Sequence, residues 1–202
     1  MTTSELNRRR FLTAISGATL CAALPTSVLA LNDAQAKKLI DKAVVDINKV
    51  IASGKSINAM IKDFERIFVK YGDVPIIARS ALGPDARNLS KSQINAYTNA
   101  FQGYIARKYG KRFNEFVGGK INVGGSRKVK SFFEVKTTVK LRGQAPFEVN
   151  FLVSDRSGKS KFFDMIIEGI SLRLSEKAEI GAMLDKRKGD INGLIADLKK
   201  AG

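Results

Sequence analysis

Two carboxylates interrupt the most apolar run in the C-terminal half of the chain: Asp164 and Glu168 in FFDMIIEGISL, residues 162–172. Two acids are the minimal equipment for general acid–base chemistry such as glycoside cleavage. On a strand they share one face with Phe162 and Ile166, while Phe163, Met165 and Ile167 take the other. Four residues of strand hold the acids roughly 13 Å apart. Glycosidase pairs stand about 5–9.5 Å apart, so these two cannot work as a dyad. Asp164 could still act alone as a general base. Cross-strand pairing with Lys128, Lys130, Lys136 and Lys140 is the stronger expectation.

Other catalytic equipment is missing. The chain has no His, and Cys21 is its one cysteine. Ser–His and Cys–His pairs are therefore excluded, and the commonest metal ligand is absent. A Ser–Lys arrangement is formally open, but no feature selects one. No carboxylate cluster has metal-ligand spacing. The doublets Gly118-Gly119 and Gly124-Gly125 lack the helix that follows a phosphate loop, and read as turns around a first strand. The expectation is a non-enzyme with no catalytic residue, metal or cofactor.

The elements that must position these residues fall into two kinds. From Asp33 to about Ala52, apolar residues recur at helical spacing: Leu39, Ile40, Ala43, Val44, Ile47, Val50 and Ile51. Ser56 can cap a second helix, Asp73 a short third, and Ser90-x-x-Gln93 is a capping box for a long fourth. The period then changes. Lys128–Lys140 alternates as one half-buried strand, with Phe133, Val135, Thr137, Val139 and Leu141 on one face. Phe147, Val149, Phe151 and Val153 alternate next, and residues 162–172 close a meander. A weaker strand with Ile121 and Val123 precedes it. Helical spacing returns after Leu172, and Asp190 can cap a last helix.

Composition narrows the partners. Lys and Arg number 35 against 19 Asp and Glu, a net charge of +16. Such a surplus suits an anionic surface. The first 30 residues place Arg8, Arg9 and Arg10 before an apolar stretch that Pro25 ends, the layout of a cleavable export signal. Its Arg-Arg-x-Phe-Leu order is similar to the twin-arginine pattern. Val28-Leu29-Ala30 and Ala34-Gln35-Ala36 both offer cleavage sites, and cutting after Ala30 leaves Asn32 or Asp33 to cap the first helix. Removing residues 1–30 takes three arginines and Glu5, leaving 32 cations against 18 anions, or +14. Residues 31–202 then form a single domain. Export disfavours nucleic acid as a partner and favours a membrane surface or an acidic envelope protein.

Three blocks carry a resemblance. They are Tyr71-Gly72-Asp73-Val74-Pro75-x-x-Ala78-Arg79-x-x-Leu82-Gly83, Phe101-x-x-Tyr104-Ile105-x-x-x-Tyr109, and Lys161 to Leu172 with its Asp164-x-x-x-Glu168-Gly169-x-Ser171 core. Over residues 33–200 the sequence resembles the MlaC, or toluene-tolerance, family of periplasmic phospholipid carriers. The stretch Leu174-Ser175-Glu176-Lys177 departs from the family's usual Asn-x-Arg.

The resemblance implies a periplasmic, monomeric shuttle with phospholipid as cargo. Its partners would be an inner-membrane lipid ABC-transporter assembly and an outer-membrane lipoprotein–porin complex, and its role would be to maintain outer-membrane lipid asymmetry. The expected fold is α+β: helices on a curved antiparallel sheet of about four strands, a cystatin-like or nuclear-transport-factor-like roll enclosing an apolar cavity. The inward faces predict the lining as Val74, Ile77, Ala78, Leu82, Phe101, Tyr104, Ile105, Phe133, Val135, Val149, Phe151, Phe163, Met165 and Ile167. Arg79 is the candidate for the lipid phosphate. The competing readings are a small exported enzyme using a lone acid such as Asp164, and a non-enzymatic envelope adaptor.

Overall fold

Side-chain caps set where the helices begin. The structure, a computed structural model, describes residues 31–202; the export segment and its twin-arginine order lie outside them. Asn32 and Gln35 form a capping box that starts α1, Asp33–Ile51. The Ser56 hydroxyl starts α2, Ile57–Tyr71. Asp73 starts α3, Val74–Leu82, with Pro75 in its first turn. A 3-10 turn, Gly83–Arg87, leads to the Ser90/Gln93 box of α4, Lys91–Gly110. One further turn of helix, α5 (Phe113–Phe116), ends the helical half. Each cap satisfies backbone N–H groups that have no partner within the helix.

Five strands follow, hydrogen-bonded in chain order: β1 Lys120–Val129, β2 Phe132–Lys140, β3 Phe147–Ser154, β4 Lys161–Ile167 and the two-residue β5 Ile170–Ser171. All neighbours are antiparallel. Ser171 then caps α6, Leu172–Lys186, and Asp190 caps α7, Ile191–Leu198. The architecture is α+β, helices packed on one antiparallel sheet. α1 lies along β1 and reaches β2 and β3; α4 is the central helix, packing against α2, α3 and α7.

Three local features differ from the sequence expectation. Lys128–Lys140 is not one strand. It folds back at Lys130-Ser131, where Lys130 takes φ 53°, so that Val129 pairs with Phe132. A two-residue turn preserves the alternation on either side, which hides the reversal from a period-2 reading. Gly124-Gly125 is not a turn but an irregularity inside β1, between Val123 and Ser126. The third is a bulge in β4. Val153 pairs with Phe162 and Leu152 with Asp164, so Phe163 is the extra residue. One inserted residue reverses the phase of everything before it. Phe162, not Phe163, is therefore the buried ring, packed 5.4 Å from Phe151 and 6.1 Å from Phe68 between centroids.

Candidate functional site

Across β2, β3 and β4 the register sets inward residues side by side. Thr137, Val149 and Ile167 form one row, and Val135, Phe151 and Met165 the next. Thr137 is the one polar residue in these two rows. Its hydroxyl donates to the Val149 carbonyl at 2.5 Å, which removes its need for water.

Above the rows of Ile121–Val139–Phe147 and Thr137–Val149–Ile167, the helices do not close on the sheet. They leave a cavity of about 420 Å³. Its roof is Val44 and Ile47 of α1, Phe64 and Phe68 of α2, Ile105 and Tyr109 of α4, and Phe116 of α5. The β2–β3 loop supplies Leu141, Gln144, Ala145 and Pro146; Arg112 and Glu168 are its charged wall residues. The volume falls within the ~300–1,000 Å³ of small-ligand pockets, and the wall is mostly apolar.

Of the fourteen residues expected to line a cavity, Ile105, Val149, Phe151, Met165 and Ile167 stand on its wall. Val74, Ile77, Ala78 and Leu82 are buried in α3, which packs against α6 and α4 and does not reach the cavity. Phe101 and Tyr104 are buried in a row of tilted rings with Tyr97 on α4. Phe133 and Val135 point inward but are buried away from its wall. Phe163 is on the other face of the sheet, against Phe132. Arg79 is exposed on α3 and away from the cavity; the cation at the cavity is Arg112, held in a bidentate pair with Glu115.

The two carboxylates of the opening motif do not share a face. Glu168 sits in the β4–β5 turn at φ 49°, and borders the cavity. Asp164 is 2% exposed and has structural partners. It accepts from the Met165 N–H at 2.8 Å, the Ser171 hydroxyl at 2.7 Å and the Arg173 N–H at 3.0 Å. These bonds tie β4 to the start of α6. The expected pairing with Lys128, Lys130, Lys136 and Lys140 does not occur; Asp164's cation is Arg173, 3.6 Å away.

A polar cluster beside the cavity was not legible in the sequence. Glu176 of α6 is fully buried and accepts from Lys108 Nζ at 2.8 Å and from the Tyr109 hydroxyl at 2.7 Å. Lys108 also donates to Glu179, as does the Tyr104 hydroxyl at 2.6 Å. Tyr109 thus presents its ring to the cavity and anchors its hydroxyl in the cluster. Burial, then the bond to Glu176, pushes its pKa well above the ordinary phenol value. Burial works to raise the Glu179 carboxyl, but the bonds from Lys108 and Tyr104 outweigh it and hold the pKa below 4.5. One signal was available: Glu176 falls on the four-residue spacing Leu172, Glu176, Ile180, Leu184 that α6 buries.

Among the described residues no group of three or more His, Cys, Asp or Glu is placed to hold a metal ion. No described helix is long and apolar enough to cross a membrane.

An α+β layer pair holding an apolar cavity defines a class of protein that accommodates a hydrophobic ligand between sheet and helices. A family model described as MlaC protein matches residues 37–200, and the chain belongs to that family. The fold is also that of a solved structure, the phospholipid-binding protein from Ralstonia solanacearum in complex with a phospholipid. The two share 19% identity at a TM-score of 0.70, over 82% of this chain and 95% of the other.

Proposed function

We propose that this protein is a periplasmic phospholipid carrier. It takes acyl chains into the cavity between α1, α2, α4 and the sheet, and shuttles lipid between an outer-membrane lipoprotein–porin complex and an inner-membrane ABC-transporter assembly. The observation that carries the reading is the apolar cavity itself, in a chain of the MlaC family. The Ralstonia relative is described as holding a phospholipid in the same fold. The physical demand on a carrier is solvation. Each methylene exposed to water costs about 0.8 kcal/mol, so the cavity must replace the bilayer's apolar environment for the whole crossing. It needs no reaction to do so, and the role is non-enzymatic. The lining residues are those on the wall, Ile105, Val149, Phe151, Met165 and Ile167 with the helical roof. Arg112 takes over the headgroup role expected of Arg79.

The carrier begins at Leu31. The Leu31 N–H lies 3.0 Å from Asp155 Oδ2, so cleavage after Ala30 turns it into an ammonium paired with that carboxylate. Cleavage after Ala36 would remove the Asn32 cap and the first turn of α1.

The test is lipid analysis of protein purified gently from the envelope, with transfer from labelled vesicles. One phospholipid population per protein, exchangeable with vesicles, is expected. Protein that is folded, carries no lipid and takes none up would refute the reading.

A further inference from the structure

Phe132 and Phe163, turned outward on the sheet, border a second pocket of about 180 Å³. It gathers Ser131 from the β1–β2 turn with Ser154, Arg156 and Ser157 around the β3–β4 turn. Those turns lie at the opposite end of an antiparallel meander from the β2–β3 loop that borders the cavity. Lys161, Arg173, Asp73 and Ile76 complete the wall. This pocket sets three cations against one carboxylate on a floor of Phe132, Phe163 and Ile76, and is too small for a lipid tail beside a headgroup.

The charged groups differ in how far they are already engaged. Asp73 caps α3, accepting from the Ile76 N–H at 3.4 Å. Lys161 donates to the Val69 carbonyl at 3.0 Å and to that of Lys70, closing the end of α2. Arg173 sits over Phe163, its guanidinium carbon 5.6 Å from the ring centre. Its Nε, buried, forms an ion pair with Asp164 Oδ2 at 3.6 Å, beyond hydrogen-bonding reach, and has no hydrogen-bond partner among the described residues. Arg156 makes neither an ion pair nor a side-chain hydrogen bond among the described residues; only its backbone N–H is engaged, with the Ser154 hydroxyl at 3.3 Å. That hydroxyl still has its proton to give. Burial, with a smaller contribution from the charge of Lys159, pushes Lys161 below its ordinary value against the opposing charge of Asp73.

We propose that this pocket binds a phosphate-class oxyanion between the guanidinium groups of Arg156 and Arg173, with the hydroxyls of Ser131, Ser154 and Ser157 as further donors. Arginine forks suit such an anion because they donate in parallel pairs to adjacent oxygens. A phosphate offers three acceptor oxygens to this set of donors, and the stacking on Phe163 holds one fork in place before the anion arrives. The site is independent of the lipid cavity and does not rest on the carrier reading.

The experiment titrates lipid-stripped protein, residues 31–202, with inorganic phosphate and with glycerol phosphate at fixed ionic strength. Amide chemical shifts and calorimetry read the binding. Saturable shifts confined to Ser131, Phe132, Arg156, Ser157 and Arg173 are expected. Arg156→Gln, on an exposed turn, weakens phosphate binding about tenfold. Arg173→Gln does the same, with its melting curve as a folding check, and Lys38→Gln, which removes the same charge from α1, leaves binding unchanged. Vesicles of phosphatidylglycerol against phosphatidylcholine then separate a lipid phosphate from a soluble one. Either source supports the site if Arg156→Gln weakens it. Unsaturable shifts, equal losses in Lys38→Gln, or binding of an acidic peptide without any of phosphate would overturn it.

Discussion

The two ends of the helix–sheet interface carry the same alternating apolar pattern, yet one is filled and the other hollow. At the filled end, Phe133, Val153 and Phe162 form a row with Phe68 against Phe162, and α3 packs against α6 and α4. At the hollow end, Val139, Val149 and Ile167 face Val44, Ile47 and Tyr109 across open space. The difference lies in how closely the helices approach the sheet: at the filled end a ring of α2 packs onto Phe162, and at the hollow end the side chains of α1, α4 and α5 line the cavity without closing on the strands.

The largest test of this contrast is truncation. Phe101→Ala, at a fully buried position in the filled end, should cost about 3–5 kcal/mol of unfolding free energy. Ile167→Ala, at the cavity wall, should cost about 1 kcal/mol, because no packed neighbour is lost on its open side. Denaturant unfolding of lipid-free protein compares them, and equal losses would mean that the cavity collapses in solution.

Asp164 comes next. Asp164→Ala removes three hydrogen bonds at the β4–α6 joint and leaves their donors buried, a cost of about 1–3 kcal/mol. Lipid content per folded molecule should not change. An enzyme relying on Asp164 would show the reverse, a stable fold with an activity lost.

Filling the hollow end should act on cargo and not on stability. Val149→Phe adds a ring to the cavity floor and should reduce bound lipid in native mass spectra, with unfolding shifted by less than about 1.5 kcal/mol. The same change in the filled end, at Val135, should instead destabilise the protein, because that side chain is fully enclosed.

The smallest effect is on acid stability. Glu179 and Asp46 both have pKa values lowered from 4.5 and 3.8, Asp46 through its bonds from Lys70 and Tyr71. A lowered carboxylate stabilises the fold above its ordinary value, and that contribution fades as pH falls through the folded one. Hydrogen exchange between pH 5 and 3 should therefore show the α4–α6 contact, which Glu179 bridges, loosening before the β2–β3 pairing. No change in that order would mean that the polar cluster does not hold α4 to α6.

Much of this was legible along the chain. Ser56, Asp73, Ser90 and Asp190 cap helices as their positions suggest, because capping depends on a few neighbouring atoms. The inward faces of β2 and β3 follow from alternation alone. Legibility fails where one residue changes the phase. Phe163 reads as inward until the bulge opposite Leu152 and Val153 is known, and only the pairing partner reveals a bulge. It fails again at Glu176, an acid whose burial depends on Lys108 and Tyr109 arriving from another helix.

By itself the sequence determined the helical half, the alternation of the strands, the absence of histidine chemistry, and most of the side chains that could face inward. These are local matters of period, cap and side-chain inventory. Only the tertiary structure decided which inward side chains meet partners and which meet empty space, and that Arg112 rather than Arg79 lines the cavity. A cavity is a property of two surfaces failing to touch, and no single stretch of chain contains both.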